Sequence, residues 1–193
     1  MRNRDQEARA RKAARGAELP AIAALVERFQ QPIGSYLLYL VGDLDRALVL
    51  AEKTFVQAHR AGLATQLDLP ARSWLYRLAT RLAVAELRRR QPQARSRNQL
   101  SLGQPTQPPV EDRDIVLAVL GQLRPTARAL LLLCDREGLS VAEVATILGR
   151  SAERVEPQLG RARAQFRHLY LLQHAMRRPH ANGATTRAEP TSA

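Results

Sequence analysis

A single cysteine, Cys134, and four histidines scattered along the chain leave no internal disulfide to form and no ligand set with metal-binding spacing. Apolar runs such as Ala129 to Cys134 fall far short of the roughly 20 residues a bilayer-spanning helix needs, so no membrane insertion is expected. The opening arm, Met1 to Arg15, alternates Arg with Ala and Glu and has no apolar stretch behind its charges. It does not read as a secretory signal, and the expected location is the cytoplasm. Paired carboxylates, a nucleophile beside a base and a phosphate-cradling loop are also missing. Neither an enzyme nor a cofactor- or metal-dependent protein is expected; there are no candidate catalytic or metal-ligating residues.

Lysine is nearly absent too, since Lys12 and Lys53 are the only two, yet Lys plus Arg number 30 against 18 Asp plus Glu, for a net charge of +12. Arginine therefore carries the charge, and its planar fork suits phosphates and guanine edges better than an ammonium does. A strongly basic chain of this kind points to nucleic acid, with a basic protein lacking that partner as the alternative. At 193 residues and 45% hydrophobic content, the chain is long enough to bury real cores.

Composition divides it into five stretches. Residues 1–19 are a basic arm and 175–193 a polar tail, both expected to be disordered for want of apolar surface. Residues 20–90 and 113–174 are periodic and apolar, and 91–112, with Pro92, Pro105, Pro108 and Pro109 among Gln, Ser and Arg, read as a linker. In the first periodic stretch Ile22, Leu25, Val26 and Phe29, then Ile33, Tyr36, Leu37, Leu40 and Val41, keep helical spacing up to Gly42. Ala47, Leu50, Ala51, Phe55 and Ala58 mark a second helix, and Trp74, Leu78, Leu82 and Ala85 a stripe on a third that ends at Arg88, Arg89 and Arg90. No segment alternates with period two, so the fold class is all-α: two small helical domains on a tether.

The second stretch carries sharper punctuation. Ile115, Val119 and Leu123 mark a short helix, and Pro125 suits the first turn of the next. Ser140 and Glu143 form a capping box that opens a helix closed by Gly149, and Ser151 can cap the last helix, whose stripe is Val155, Leu159, Ala162, Phe166 and Leu169. Two helices joined by a short Gly-containing turn, the second long and arginine-rich, describe a helix-turn-helix.

The stretch G-L-S-V-A-E-V-A-T-I-L-G-R-S-A-E-R-V, from Gly138 to Val155, resembles the promoter-reading helix-turn-helix of bacterial RNA polymerase sigma factors of the extracytoplasmic-function type. L-V-E-R-F-Q-Q-P-I-G-S-Y-L-L-Y-L-V-G-D (25–43), T-F-V-Q-A-H-R (54–60) and W-L-Y-R-L-A-T-R-L-A-V-A-E-L-R-R-R (74–90) are similar, in the same order, to helices of that family's first conserved domain, so the resemblance covers roughly 20–172. It implies partners: the RNA polymerase core, double-stranded promoter DNA and an anti-sigma factor. It also implies DNA contact by Arg150, Ser151, Arg154, Gln158, Arg161 and Arg163 in the second domain and by Arg77, Arg81, Arg88 and Arg89 in the first. Polymerase contact falls to Arg46, Leu48, Val49, Glu52 and Phe55. The implied function is to direct transcription initiation; the alternative is a degenerate sigma-like DNA-binding regulator or protein-interaction module that does not initiate.

The chain departs from the family at three places. An acidic run of the form D-A-E-D is replaced by Arg46, Ala47, Leu48 and Val49; Arg81 and Ala85 stand where Asn and Asp are frequent; and V-K-S-R-L becomes Val155, Glu156, Pro157, Gln158 and Leu159. The first removes charge complementarity to the polymerase, and the second exchanges base reading for phosphate contact. Pro157 either kinks the last helix or sits in the first turn of one whose regular part starts near Glu156. Several residues have a plainer reading beside the functional one: Arg88 to Arg90 as a solvated helix end, Trp74 and Tyr76 as core, and Leu48 and Val49 as a wider core face.

Overall fold

The computed structural model describes residues 23–61, 70–98 and 112–177, which are helical and contain no strand. The basic arm, most of the linker and most of the tail read from the sequence lie outside these residues, and residues 175–177 of the tail are the last of the final helix. Helix α1 (residues 23–41) buries Ile33, Tyr36, Leu37 and Leu40 and stops at Gly42, whose φ of 77° is open to glycine at little cost. Asp43 caps α2 (Leu44–Arg60) by accepting the Arg46 amide at 3.0 Å, and α2 buries Ala47, Leu50, Thr54 and Ala58.

Helix α3 (Ala71–Asn98) continues beyond Arg90 and through Pro92, so residues 91–98 of the stretch read as a linker are helical. Its buried face is Leu75, Tyr76, Leu78, Ala79 and Ala83, whereas Trp74 and Leu82 are half-buried and Ala85 is exposed. The stripe expected from the sequence is thus rotated. The reason is that α3 is covered on two sides, by α2 and by the second helical unit, so no single stripe defines its inner face.

That second unit is α4 (Asp112–Gln122), α5 (Pro125–Leu131), a widened π turn (Leu132–Arg136), α6 (Val141–Leu148) and α7 (Ala152–Arg177). Pro125 opens α5, where its missing N–H is not needed. The Ser140 and Glu143 capping box forms as expected, the Glu143 amide donating to Ser140 Oγ at 3.3 Å and the Ser140 amide to Glu143 Oε2 at 2.8 Å. Gly149, at φ 63°, closes α6 in the left-handed conformation. Val155, Leu159 and Ala162 bury the inner face of α7.

The described residues form the two helical units expected, and these pack against each other. One continuous apolar cluster runs from Ile33 and Leu75 to Leu130, Val144 and Val155, with α3 as the wall that α5 and α6 pack against. Among the described residues no helix is long and apolar enough to cross a membrane, and no metal-ligating group of side chains assembles.

Candidate nucleic-acid interface

Polar contacts fasten the face between the units. Arg128, on α5, is buried, yet its guanidinium reaches the Leu40 carbonyl at the end of α1 at 2.6 Å and the Gly121 and Leu123 carbonyls at the end of α4 at 2.8 and 3.3 Å. No carboxylate joins it there. The negative ends of two helices take that place, and burial pushes the guanidinium down to about 10, leaving it charged at neutral pH. Glu137, just after the π turn, accepts from Tyr76 of α3 and from Arg136 at 2.7 Å. Burial, then the bond to Glu137, holds the Tyr76 phenol well above its usual range, so it remains a donor. Arg136 also stacks on Tyr39, 4.3 Å from the ring centre. Tyr76 meets Tyr36 edge-to-face at 5.2 Å and is core, so base stacking is not open to it; Trp74 is half-buried against the same core.

Farther along α3 the character of the face changes. Arg77, Arg81 and Arg88 line a groove of about 410 Å³ opposite Arg150, which sits in the α6–α7 turn. An adjoining hollow is lined by Arg150, Gln158, Arg161 and Arg124. Among the described residues, no carboxylate lines either one. Arg77 donates to the Thr146 carbonyl and Arg150 to Gln158, which sets the two cations at fixed places on opposite walls. The structure therefore gathers six of the residues picked from the sequence: Arg77, Arg81, Arg88, Arg150, Gln158 and Arg161. Arg124 was missed; it stands just ahead of Pro125, outside the helix-turn-helix pattern, so only tertiary packing reveals it.

The other expected residues lie elsewhere. Ser151 and Arg154 are exposed at the start of α7, with the Ser151 carbonyl accepting from the Arg154 and Val155 amides. Arg163 is paired with Asp135, with Nε to Oδ2 at 3.1 Å. Arg89 pairs with Glu86 at 2.8 Å and lines a separate hollow with Arg46, Val49 and Lys53. Of the expected polymerase contacts, Phe55 is half-buried against the core, Glu52 is exposed, and Arg46 is 3.5 Å from Asp43. Leu48 and Val49 are 58% and 47% exposed, which rules out the reading that they widen the core face. Leu44 and Val56, exposed as well, fall on the Leu48 stripe at four-residue steps with Glu52 between.

Helix α7 starts at Ala152, so Pro157 lies in its second turn and the helix passes through it. The alternative in which regular helix begins near Glu156 is not the one adopted. Pro157 cannot donate to the Glu153 carbonyl, and one turn later Gly160 has open space where a side chain would fit. Pro157→Ser is expected to raise stability by up to about 3 kcal/mol and Gly160→Ala by about 1 kcal/mol. Urea unfolding checks both, and an unchanged midpoint for Pro157→Ser would show that the helix already accommodates proline. Glu156→Lys should change stability less and strengthen DNA binding, read by titration.

Residues 113–166 match the family model described as sigma-70, region 4. The ECF RNA polymerase sigma factor SigE of Mycolicibacterium smegmatis is 29% identical over 173 residues, which is 82% of this chain and 65% of that protein. Among solved structures, CnrH in complex with the cytosolic domain of CnrY is similar with TM-score 0.62 and 26% identity, over 81% of this chain and 93% of that one. The sigma factor RpoE of Bartonella quintana, solved with the anti-sigma factor NepR, shares the fold with TM-score 0.57 at 18% identity, over 82% and 96% of the two chains.

Proposed function

We propose that the chain is a sigma factor of the extracytoplasmic-function type, a reading supported by the region 4 match over residues 113–166 and the similarity to SigE, and that it binds the RNA polymerase core and promoter DNA in the cytoplasm and directs transcription initiation. The work is binding, not catalysis. The observation that carries this reading is the α6–α7 helix-turn-helix, whose turn and second helix bear Arg150, Arg154, Arg161 and Arg163 on a chain of net charge +12. Arg77, Arg81 and Arg88 on α3 supply phosphate contacts from the first unit, as does Arg89 from a separate hollow, and Ser151 and Gln158 add polar contacts from the second. A protein partner, an anti-sigma factor, belongs to the same proposal, since the similar CnrH is seen in complex with the cytosolic domain of CnrY.

Polymerase contact falls to α2, through Arg46, Leu48, Val49, Glu52 and Phe55. Titrating labelled core with the full chain tests it. Binding of core supports the reading, and absence of binding overturns it. With Arg46, Leu48 and Val49 changed to acidic residues, affinity is expected to rise several-fold, because complementarity to a basic surface returns. A native chain that binds tightly and a variant that binds worse would make the apolar stripe itself the contact. A second reading rests on that exposed stripe of Leu44, Leu48 and Val56: a sigma-like DNA-binding regulator or interaction module that does not initiate. Core binding separates the two.

A further inference from the structure

The arginines of the groove come from both helical units, Arg77, Arg81 and Arg88 from α3 and Arg150 from the α6–α7 turn. Packing the units together sets like charges around one cavity with no carboxylate in its lining among the described residues, an arrangement that repels itself until an anion enters. A space of about 410 Å³ is the size of a small-ligand site. It cannot admit a DNA duplex, whose major groove alone is about 12 Å wide. Its lining includes an apolar floor of Ile147, Leu148 and Val84, all buried or half-buried, while Arg77, Arg81 and Arg88 are exposed. Forked donors converging from two walls suit several phosphate oxygens at once better than a single carboxylate.

We propose that the groove between α3 and the α6–α7 turn is a binding site for a small, multiply phosphorylated molecule, whose phosphates bridge Arg77, Arg81 and Arg88 to Arg150. Such a ligand fits only when the two units are packed together. It therefore favours the closed arrangement over any in which they separate, by mass action. It also occupies arginines assigned above to DNA, so the ligand and DNA compete. The inference stands on the groove and holds whether or not the chain engages polymerase.

Calorimetric titration of the full chain, at about 150 mM salt and without divalent metal, tests it with two probes, inorganic tripolyphosphate and ATP. One molecule per chain is expected to bind, with a rise in melting temperature. ATP binding more tightly than tripolyphosphate assigns the apolar floor to a base, and equal affinities assign the site to phosphate alone. The double variant Arg81→Glu, Arg150→Glu should weaken binding at least tenfold. The double variant Arg60→Glu, Arg167→Glu, with the same charge change outside the groove, should keep it. Arg88→Glu replaces Arg150→Glu if the latter loses helical circular dichroism. No binding of either probe, equal loss in the two double variants, or full binding by the groove variant overturns the proposal. So does a groove variant that loses duplex DNA while tripolyphosphate binding is untouched.

Discussion

Arg128→Ala is expected to lower the free energy of unfolding by about 3 kcal/mol, more than any surface substitution in the chain, because hydrogen bonds from a charged donor are each worth about 1.5 to 3 kcal/mol. The side chain holds carbonyls at the ends of α1 and α4 together, one helix from each unit. Removing it leaves the acceptors behind, and backbone acceptors cannot be mutated away. Arg128→Met should therefore lose nearly as much despite filling the volume. Arg128→Lys should recover little, since an ammonium cannot present a planar fork to carbonyls on two sides. Urea unfolding with circular dichroism reads all three. A loss below about 1 kcal/mol for Arg128→Ala would show that water replaces the guanidinium and that Arg128 does not fasten the units.

Affinity for duplex DNA is expected to fall about a thousandfold between 50 and 200 mM salt, which is what about six neutralised phosphates release in counterions. The charge is arginine on both units; Arg154 and Arg161 are exposed, while Arg163 is held by Asp135. Arg154→Glu and Arg161→Glu should each flatten the salt slope by about one, whereas Arg163→Glu should change it less, because its charge is already partly neutralised. Removing residues 1–19, which lie outside the described residues, should reduce affinity without changing the helical signal. Fluorescence anisotropy over a salt series decides the point. A slope near zero would mean that the arginines do not meet phosphates.

What could be read from the sequence was local. Ser140, Glu143, Gly149 and Pro125 carry their conformational instructions within a turn of themselves, and each does in the structure what its chemistry dictates. The helix-turn-helix and its arginines followed. The inner face of α3 was not readable, because the second unit covers a side that an isolated bundle would leave to water, which turned Leu75 and Ala79 inward and left Ala85 out. Arg128 was hidden for a related reason: a charged residue counts as surface until two helix ends from distant parts of the chain arrive to receive it. The π turn at Leu132–Arg136 has no periodicity of its own, yet it places Arg136 on Tyr39 and Glu137 against Tyr76. Leu44 and Val56 were within reach of the sequence. They share the Leu48 stripe, and the signal was the four-residue spacing of apolar side chains that the structure leaves exposed.

Transcription in vitro tests the central claim most directly. Purified polymerase core and the full chain would be incubated with fragments of the genome that encodes it, and transcript starts mapped. The proposed role predicts discrete starts that are absent with core alone, share an upstream element, and weaken when Arg154 and Arg161 are changed to Glu. A chain that binds DNA with a steep salt slope but neither binds core nor produces a discrete start would contradict it and leave the non-initiating regulator as the function.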